Sequence, residues 1–203
     1  MTLIAALAFG GGLALSWWQG QRDAHSAIDG LMWPNPPAVP AFKLVGDDGQ
    51  PFTLERLRGK WTLVFFGFTH CPDVCPTTLQ TLTQVHRALR ADPLYAGRGQ
   101  VLFVSLDPER DTPDKLARYV KYFDQDFLGA TGPEADLKVL TQALGVLFMK
   151  VAQNGEDYTV DHSAGIFFID PAARLVSVLT PLHDAAGVMA RFKAVATFID
   201  ARS

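Results

Sequence analysis

Only two cysteines occur in the chain, four positions apart, within Phe65-Phe66-Gly67-Phe68-Thr69-His70-Cys71-Pro72-Asp73-Val74-Cys75-Pro76. The apolar run from Trp61 to Phe66 predicts a buried strand leading into them. Just beyond them, Leu79, Leu82, Val85 and Leu89 share one helical face. Pro76 suits the first position of that helix, where no backbone N–H is needed. The pair is therefore expected at a strand-to-helix turn, with Cys75 at the helix N-terminus and Cys71 in the loop before it. Unpaired N–H groups and the positive end of the helix dipole favour a thiolate there. Inert cysteines usually sit in apolar surroundings. These two flank Pro72 and Asp73, so reactive thiols are expected.

The remaining elements follow from periodicity. Phe42–Val45 and Pro51–Leu54 flank Gly46-Asp47-Asp48-Gly49 and predict a hairpin. Val101 to Leu106 predicts a second buried strand, and Asp107-Pro108-Glu109-Arg110-Asp111 a loop. Thr112 caps the next helix with Pro113 at its first position, and Leu116, Tyr119, Val120 and Phe123 form its inward stripe. A loop holding Gly129 and Gly132 is expected next, then a helix carrying Leu137, Leu140, Thr141 and Leu144. Val146–Val151, Gly165–Ile169 and Leu175–Leu179 read as strands, with a turn at Asn154-Gly155. A last helix starts near Asp184, with Val188, Phe192, Val195 and Ile199 inward. Strands alternating with helices imply a parallel core, and the short turn at Asp170–Ala173 makes the last strands antiparallel. The expected class is α/β: a mixed central sheet flanked by helices, with an N-terminal β-hairpin. A reactive cysteine pair ending the first βα unit of such a sheet points to a thioredoxin-like fold.

With 203 residues, the chain can form one domain with a proper core plus an appendage. Its net charge of −3 offers no basic excess for phosphates and argues against nucleic acid. Residues 1 to 21 carry no charged side chain, and Leu3 to Trp18 is almost wholly apolar. A helix over Met1–Trp18 would span roughly 27 Å, close to a bilayer core. Trp17 and Trp18 would then sit at the interface. The expected organisation is a transmembrane anchor or uncleaved signal over 1–21, a Pro-rich linker over 22–40, and the folded domain over 41–203.

Two cysteines at a helix start, with Cα atoms about 6 Å apart, can close a disulfide or clamp one metal ion. Soft thiolates favour Cu(I) or zinc over calcium or magnesium, and a third ligand is then expected. Of the five histidines, His25 lies in the linker, His86 beside the apolar stripe of its helix as a surface or boundary residue, and His183 before the last helix. His70 adjoins Cys71. His162 lies in Asp161-His162-Ser163-Ala164, before a buried strand whose entry loop in a thioredoxin-like fold sits beside the cysteine pair. Spacing favours His162 over His70 and leaves both open. Asp73, between the cysteines, reads equally as a charge near the site, a partner contact or a solvated carboxylate.

Gly67-Phe68-Thr69-His70-Cys71-Pro72-Asp73-Val74-Cys75-Pro76, together with Asp107-Pro108-Glu109-Arg110-Asp111-Thr112-Pro113 and Asp161-His162, resembles the Sco/SenC family over about residues 40 to 200. That resemblance implies a membrane-anchored, thioredoxin-fold metallochaperone that helps build the CuA centre of cytochrome c oxidase. It places the copper ligands on Cys71, Cys75 and His162, with one copper per domain as Cu(I) or Cu(II). The same two thiols would form a redox disulfide, with Asp73 and Asp161 as neighbours or partner contacts. Implied partners are oxidase subunit II, a periplasmic copper donor and a thioredoxin-like reductant. The implied location is the inner membrane, with the domain in the periplasm. A thiol–disulfide oxidoreductase competes, but such proteins carry Cys-x-x-Cys and a proline where this chain has Ser163-Ala164. A peroxiredoxin-like peroxidase competes through Val74-Cys75-Pro76-Thr77, and structural zinc would call for four protein ligands.

Overall fold

The computed structural model describes residues 30–153, 158–181 and 184–202. The expected anchor over 1–21, the start of the linker, His25, the Asn154-Gly155 turn and His183 lie outside the described residues.

Strands β1 (Lys43–Gly46) and β2 (Pro51–Thr53) form the expected hairpin. β3 (Trp61–Gly67) leads into the cysteine loop and helix α1 (Val74–Ala91). β4 (Gly99–Ser105), α2 (Pro113–Phe123), β5 (Leu128–Thr131) and α3 (Glu134–Leu144) follow. The hairpin β6 (Phe148–Ala152) and β7 (Tyr158–His162) precedes β8 (Ile166–Ile169), β9 (Leu175–Leu179) and α4 (Ala185–Asp200). Seven strands form one mixed sheet in the order β2-β1-β5-β4-β3-β8-β9, while β6 and β7 pair only with each other. β3, β4 and β5 run parallel; β8 returns antiparallel to β3, and β9 antiparallel to β8.

Every residue of β3 is buried because both faces of the sheet are covered. Trp61, Leu63 and Phe65 pack with α1, α2 and α4, and Val64 and Phe66 with α3 and the β1–β2 hairpin. At the far edge, the chain from Leu31 to Val39 covers β9. Trp33 N–H donates to Val176 O (3.1 Å), Leu175 N–H to Pro37 O (2.9 Å) and Val39 N–H to Ala173 O (2.9 Å). An otherwise open row of backbone groups is thereby satisfied.

Four expectations change. Helix α1 begins at Val74, not Pro76, so Pro76 occupies its third position, where the N–H is still not needed within the helix. The loop expected around Gly129 contains β5, held between β4 and β1. His162 ends a strand instead of lying in a loop. His86 is buried, not a boundary residue: its Nδ1 lies 3.3 Å from Asp124 Oδ2 and its ring against Phe127. Among the described residues no helix is long and apolar enough to cross a membrane.

Candidate metal centre

The cysteine loop leaves β3 at Gly67, and Gly67 is there for space. A Cβ at this position would lie 2.7 Å from Cys75 Sγ and 2.9 Å from Phe103 Cε2. The loop is then fixed from across the sheet by Asp111, which is wholly buried. Thr69 donates to Asp111 through both its N–H (2.8 Å) and its hydroxyl (2.5 Å), and Ser105 Oγ donates at 2.6 Å. Lys115 Nζ, 3.4 Å away, supplies the compensating charge. A buried carboxylate satisfied this fully is rigid, and it holds the residue two before Cys71.

Cys71 is half-buried and Cys75 buried, and both are free thiols. Their acidities diverge. Cys71 is lowered to about 4, first by the hydrogen bond from Cys75, then by His162 and by the backbone N–H groups of Asp73 and Cys75. The free amides of the α1 N-terminus therefore serve Cys71. Cys75 is raised because it donates to Cys71 and because it is buried. The pair holds one proton, on Cys75, and one negative charge, on Cys71.

His162 arrives from the end of β7. Its Nδ1 lies 3.1 Å from Ser163 O, an atom that can only accept, so Nδ1 carries a proton. Nε2 faces the cysteines and lies 3.8 Å from Cys75 Sγ. The rings of Phe65 and Phe68 stand edge-on to the imidazole at 6.3 and 6.2 Å and fix its plane. Two sulfurs and one imidazole nitrogen thus converge at the end of β3. A donor set of this kind suits a soft or borderline cation such as copper or zinc.

The other expected residues fall elsewhere. His70 is exposed, with Lys115 Nζ 3.2 Å from both ring nitrogens and Asp111 Oδ1 3.9 Å from Nδ1. Asp73 is exposed at the α1 N-cap and bonds weakly with Thr77 (3.5 Å). Asp161 is exposed opposite Met149, on the hairpin face away from His162. Two clusters among the described residues have all their ligand atoms within 4.8 Å of one another, His70–Asp107–Asp111 and His86–Asp124–Asp126. In each a protein cation is already present: Lys115 in the first, and Arg90, bonded to Asp124 and Asp126, in the second. Gly67, Phe68 and Tyr158 have roles that the sequence reading did not assign. Asp107, Arg110 and Asp111 were visible as a motif, but the partners that tie them to the site, Thr69 and Tyr158, are more than 40 residues distant in sequence.

A family model described as SCO1/SenC matches residues 33–197. The mitochondrial SCO2 homologue of Danio rerio is 38% identical over 178 residues, covering 83% of this chain and 62% of that protein. This chain therefore spans less than two thirds of that relative. Among solved structures, copper-bound ScoI of Bradyrhizobium japonicum is 37% identical with a TM-score of 0.69, covering 78% of this chain and 99% of that one. Copper-bound ScoI of Arabidopsis thaliana is 34% identical with a TM-score of 0.70, covering 77% and 98%. The thioredoxin-like architecture read from the strand order is thus that of known Sco structures, and the chain belongs to the SCO1/SenC family.

Proposed function

We propose that this protein binds one copper ion through Cys71 Sγ, Cys75 Sγ and His162 Nε2, and carries it to cytochrome c oxidase during assembly of the CuA centre. The observation that carries the reading is the Nε2 of His162, 3.8 Å from Cys75 Sγ, with Nδ1 engaged by Ser163 O. A histidine fixed through its second nitrogen is the usual form of a metal-binding imidazole. Copper-bound relatives with more than 30% identity support the choice of metal. Three protein donors suit Cu(I), and added water completes Cu(II); an unfilled position also lets a recipient's ligands enter before the donor's leave.

Oxidation of the Cys71 thiolate and the Cys75 thiol forms one S–S bond, releases one proton and passes two electrons to an oxidant. The disulfide has no thiolate left for copper. A dithiol reductant of the thioredoxin type, itself becoming a disulfide, would restore the site. Cys71, half-buried and ionised, is the sulfur such a partner attacks or is attacked by. The peroxidase reading places the reacting sulfur at Cys75 instead, and that thiol is buried with its acidity suppressed. An upstream membrane anchor, a periplasmic setting and subunit II as recipient belong to the same proposal.

Anaerobic titration of the full-length reduced chain with Cu(I) and Cu(II), beside the disulfide form, tests it. One copper per reduced chain and none on the disulfide form are expected. Equal binding by the oxidised chain would remove the thiols from the site and end the copper reading.

A further inference from the structure

His162 stands on a support outside the main sheet. The β6–β7 hairpin makes five register pairs with itself and joins no other strand. Two-stranded hairpins are marginal alone, so its placement relative to the cysteines rests on the short link to β8 and on side chains. Near His162, Leu147 N–H donates to Ser163 Oγ (3.1 Å) and Ser163 N–H to Leu147 O (2.9 Å), both within the hairpin itself. Val160 is buried in the core. A network of polar contacts holds the other end, at Tyr158.

There Arg110 lies flat against the Tyr158 ring, with its guanidinium carbon 3.7 Å from the centroid. Its Nη1 donates to Tyr158 O at 2.9 Å and its Nε to Asp107 Oδ2 at 2.5 Å. The circle closes where Tyr158 Oη donates to Asp107 Oδ1 at 2.6 Å. Asp107 is wholly buried and sits in the same loop as Asp111, which holds Thr69. Its own N–H donates to Ser105 Oγ (3.1 Å), and Ser105 Oγ donates to Asp111. One short loop therefore grips the strand of His162 at one end and the loop of Cys71 at the other. Arg110 also lies 5.9 Å from the ring of Phe68, which packs edge-on against His162. Only a planar fork can stack on the ring and donate to two acceptors at once.

We propose that Arg110 and Tyr158 form a clasp that positions His162 against the cysteine pair, making both of them positioning residues for metal binding though neither is a ligand. The clasp rests on the copper reading for its purpose but not for its existence.

The test uses the full-length chain with Arg110→Gln, which removes the stack and both donations, and Tyr158→Phe, which removes only the phenol's bond to Asp107. Backbone amides of 158–162 should exchange about tenfold faster in Arg110→Gln and less so in Tyr158→Phe. Cu(II) affinity should fall about 10- to 100-fold, as for other residues that orient a ligand. The thiolate-to-copper absorption band should shift, while disulfide formation by Cys71 and Cys75 keeps its parental rate. Arg110→Lys, which keeps the charge but neither the planar stack nor the second donation, should recover only a small part of the affinity. If Arg110→Gln does not fold, Tyr158→Phe decides. Parental exchange in the hairpin, or faster exchange with parental copper affinity and band, overturns the clasp. If the parent chain takes up no copper, the copper reading falls. Amide exchange and the His162 ring shifts then decide the clasp by themselves.

Discussion

Two atoms separate the readings of this site: the Nε2 of His162 and the Sγ of Cys71. A thiol enzyme needs its sulfurs, whereas a copper carrier also needs the imidazole. His162→Ala should therefore abolish stable Cu(II) binding and weaken Cu(I) retention less, since two soft sulfurs hold Cu(I) while imidazole suits Cu(II). The variant should stay folded and still form its disulfide. Visible absorption during Cu(II) titration, with oxidase activity in cells carrying the variant, checks this; normal values for both would take His162 out of the site. Cys71 carries a second prediction. Its thiol, lowered to about 4 chiefly by Cys75, is ionised across the neutral range. Its alkylation rate by iodoacetamide should stay level from about pH 8 to 5 and drop as pH falls through about 4. An unperturbed thiol near 9.0 would already lose about tenfold per unit over that range. Peptide mass spectrometry of the metal-free reduced chain reads both cysteines, and Cys75 should lag at every pH. A Cys71 profile with its midpoint near 9 would contradict the arrangement.

Among the elements, the junction of β3 and α1 bears the most. Gly67→Ala would push a methyl group into Cys75 Sγ and the Phe103 ring. Neither can retreat in a packed core, so a loss of about 1–3 kcal/mol is expected by urea denaturation, together with weaker copper binding. Unchanged stability would mean the contact relaxes. The helix-to-strand rhythm of this region was readable because each element repeats one period strongly: Leu79, Leu82, Val85 and Leu89 are all buried as expected. β5 was not, because Leu128–Thr131 holds a glycine and only four residues; pairing with β4 and β1, not local pattern, makes it a strand. β7 hid for a related reason, with only Val160 fully buried and the rest half-exposed. His86 did leave a signal: it stands four after Leu82 and three before Leu89, on the inward stripe. What spacing could not supply was Asp124, the distant carboxylate that makes its burial affordable. The same limit applies at the site. The cysteines announced themselves through their neighbours, whereas the loop from Asp107 to Asp111 could be seen as a motif without showing what it grips.

At the scale of the molecule, the proposal of an upstream anchor predicts where the thiols can be reached. In intact cells kept reduced, a membrane-impermeant maleimide should label Cys71, which is half-buried but accessible. Labelling obtained only after the inner membrane is breached would place the domain on the other side. The chain from Leu31 to Val39 gives this architecture a direction. It runs antiparallel to β9, with Val39 beside Ala173, Pro37 beside Leu175 and Trp33 beside Val176. β9 in turn points the same way as β3, because both lie antiparallel to β8. Followed backwards, the strap therefore climbs toward the rim at which β3 delivers the cysteines. It reaches Gly30 three strand spacings from β3, about 15 Å sideways. A leash fastened at that rim pulls the rim toward whatever holds its other end. Were the fastening at the opposite rim, the same leash would turn the sulfurs outward, away from its point of attachment. An anchor upstream of Gly30, as proposed, would therefore hold the rim that carries the cysteines toward the membrane rather than away from it.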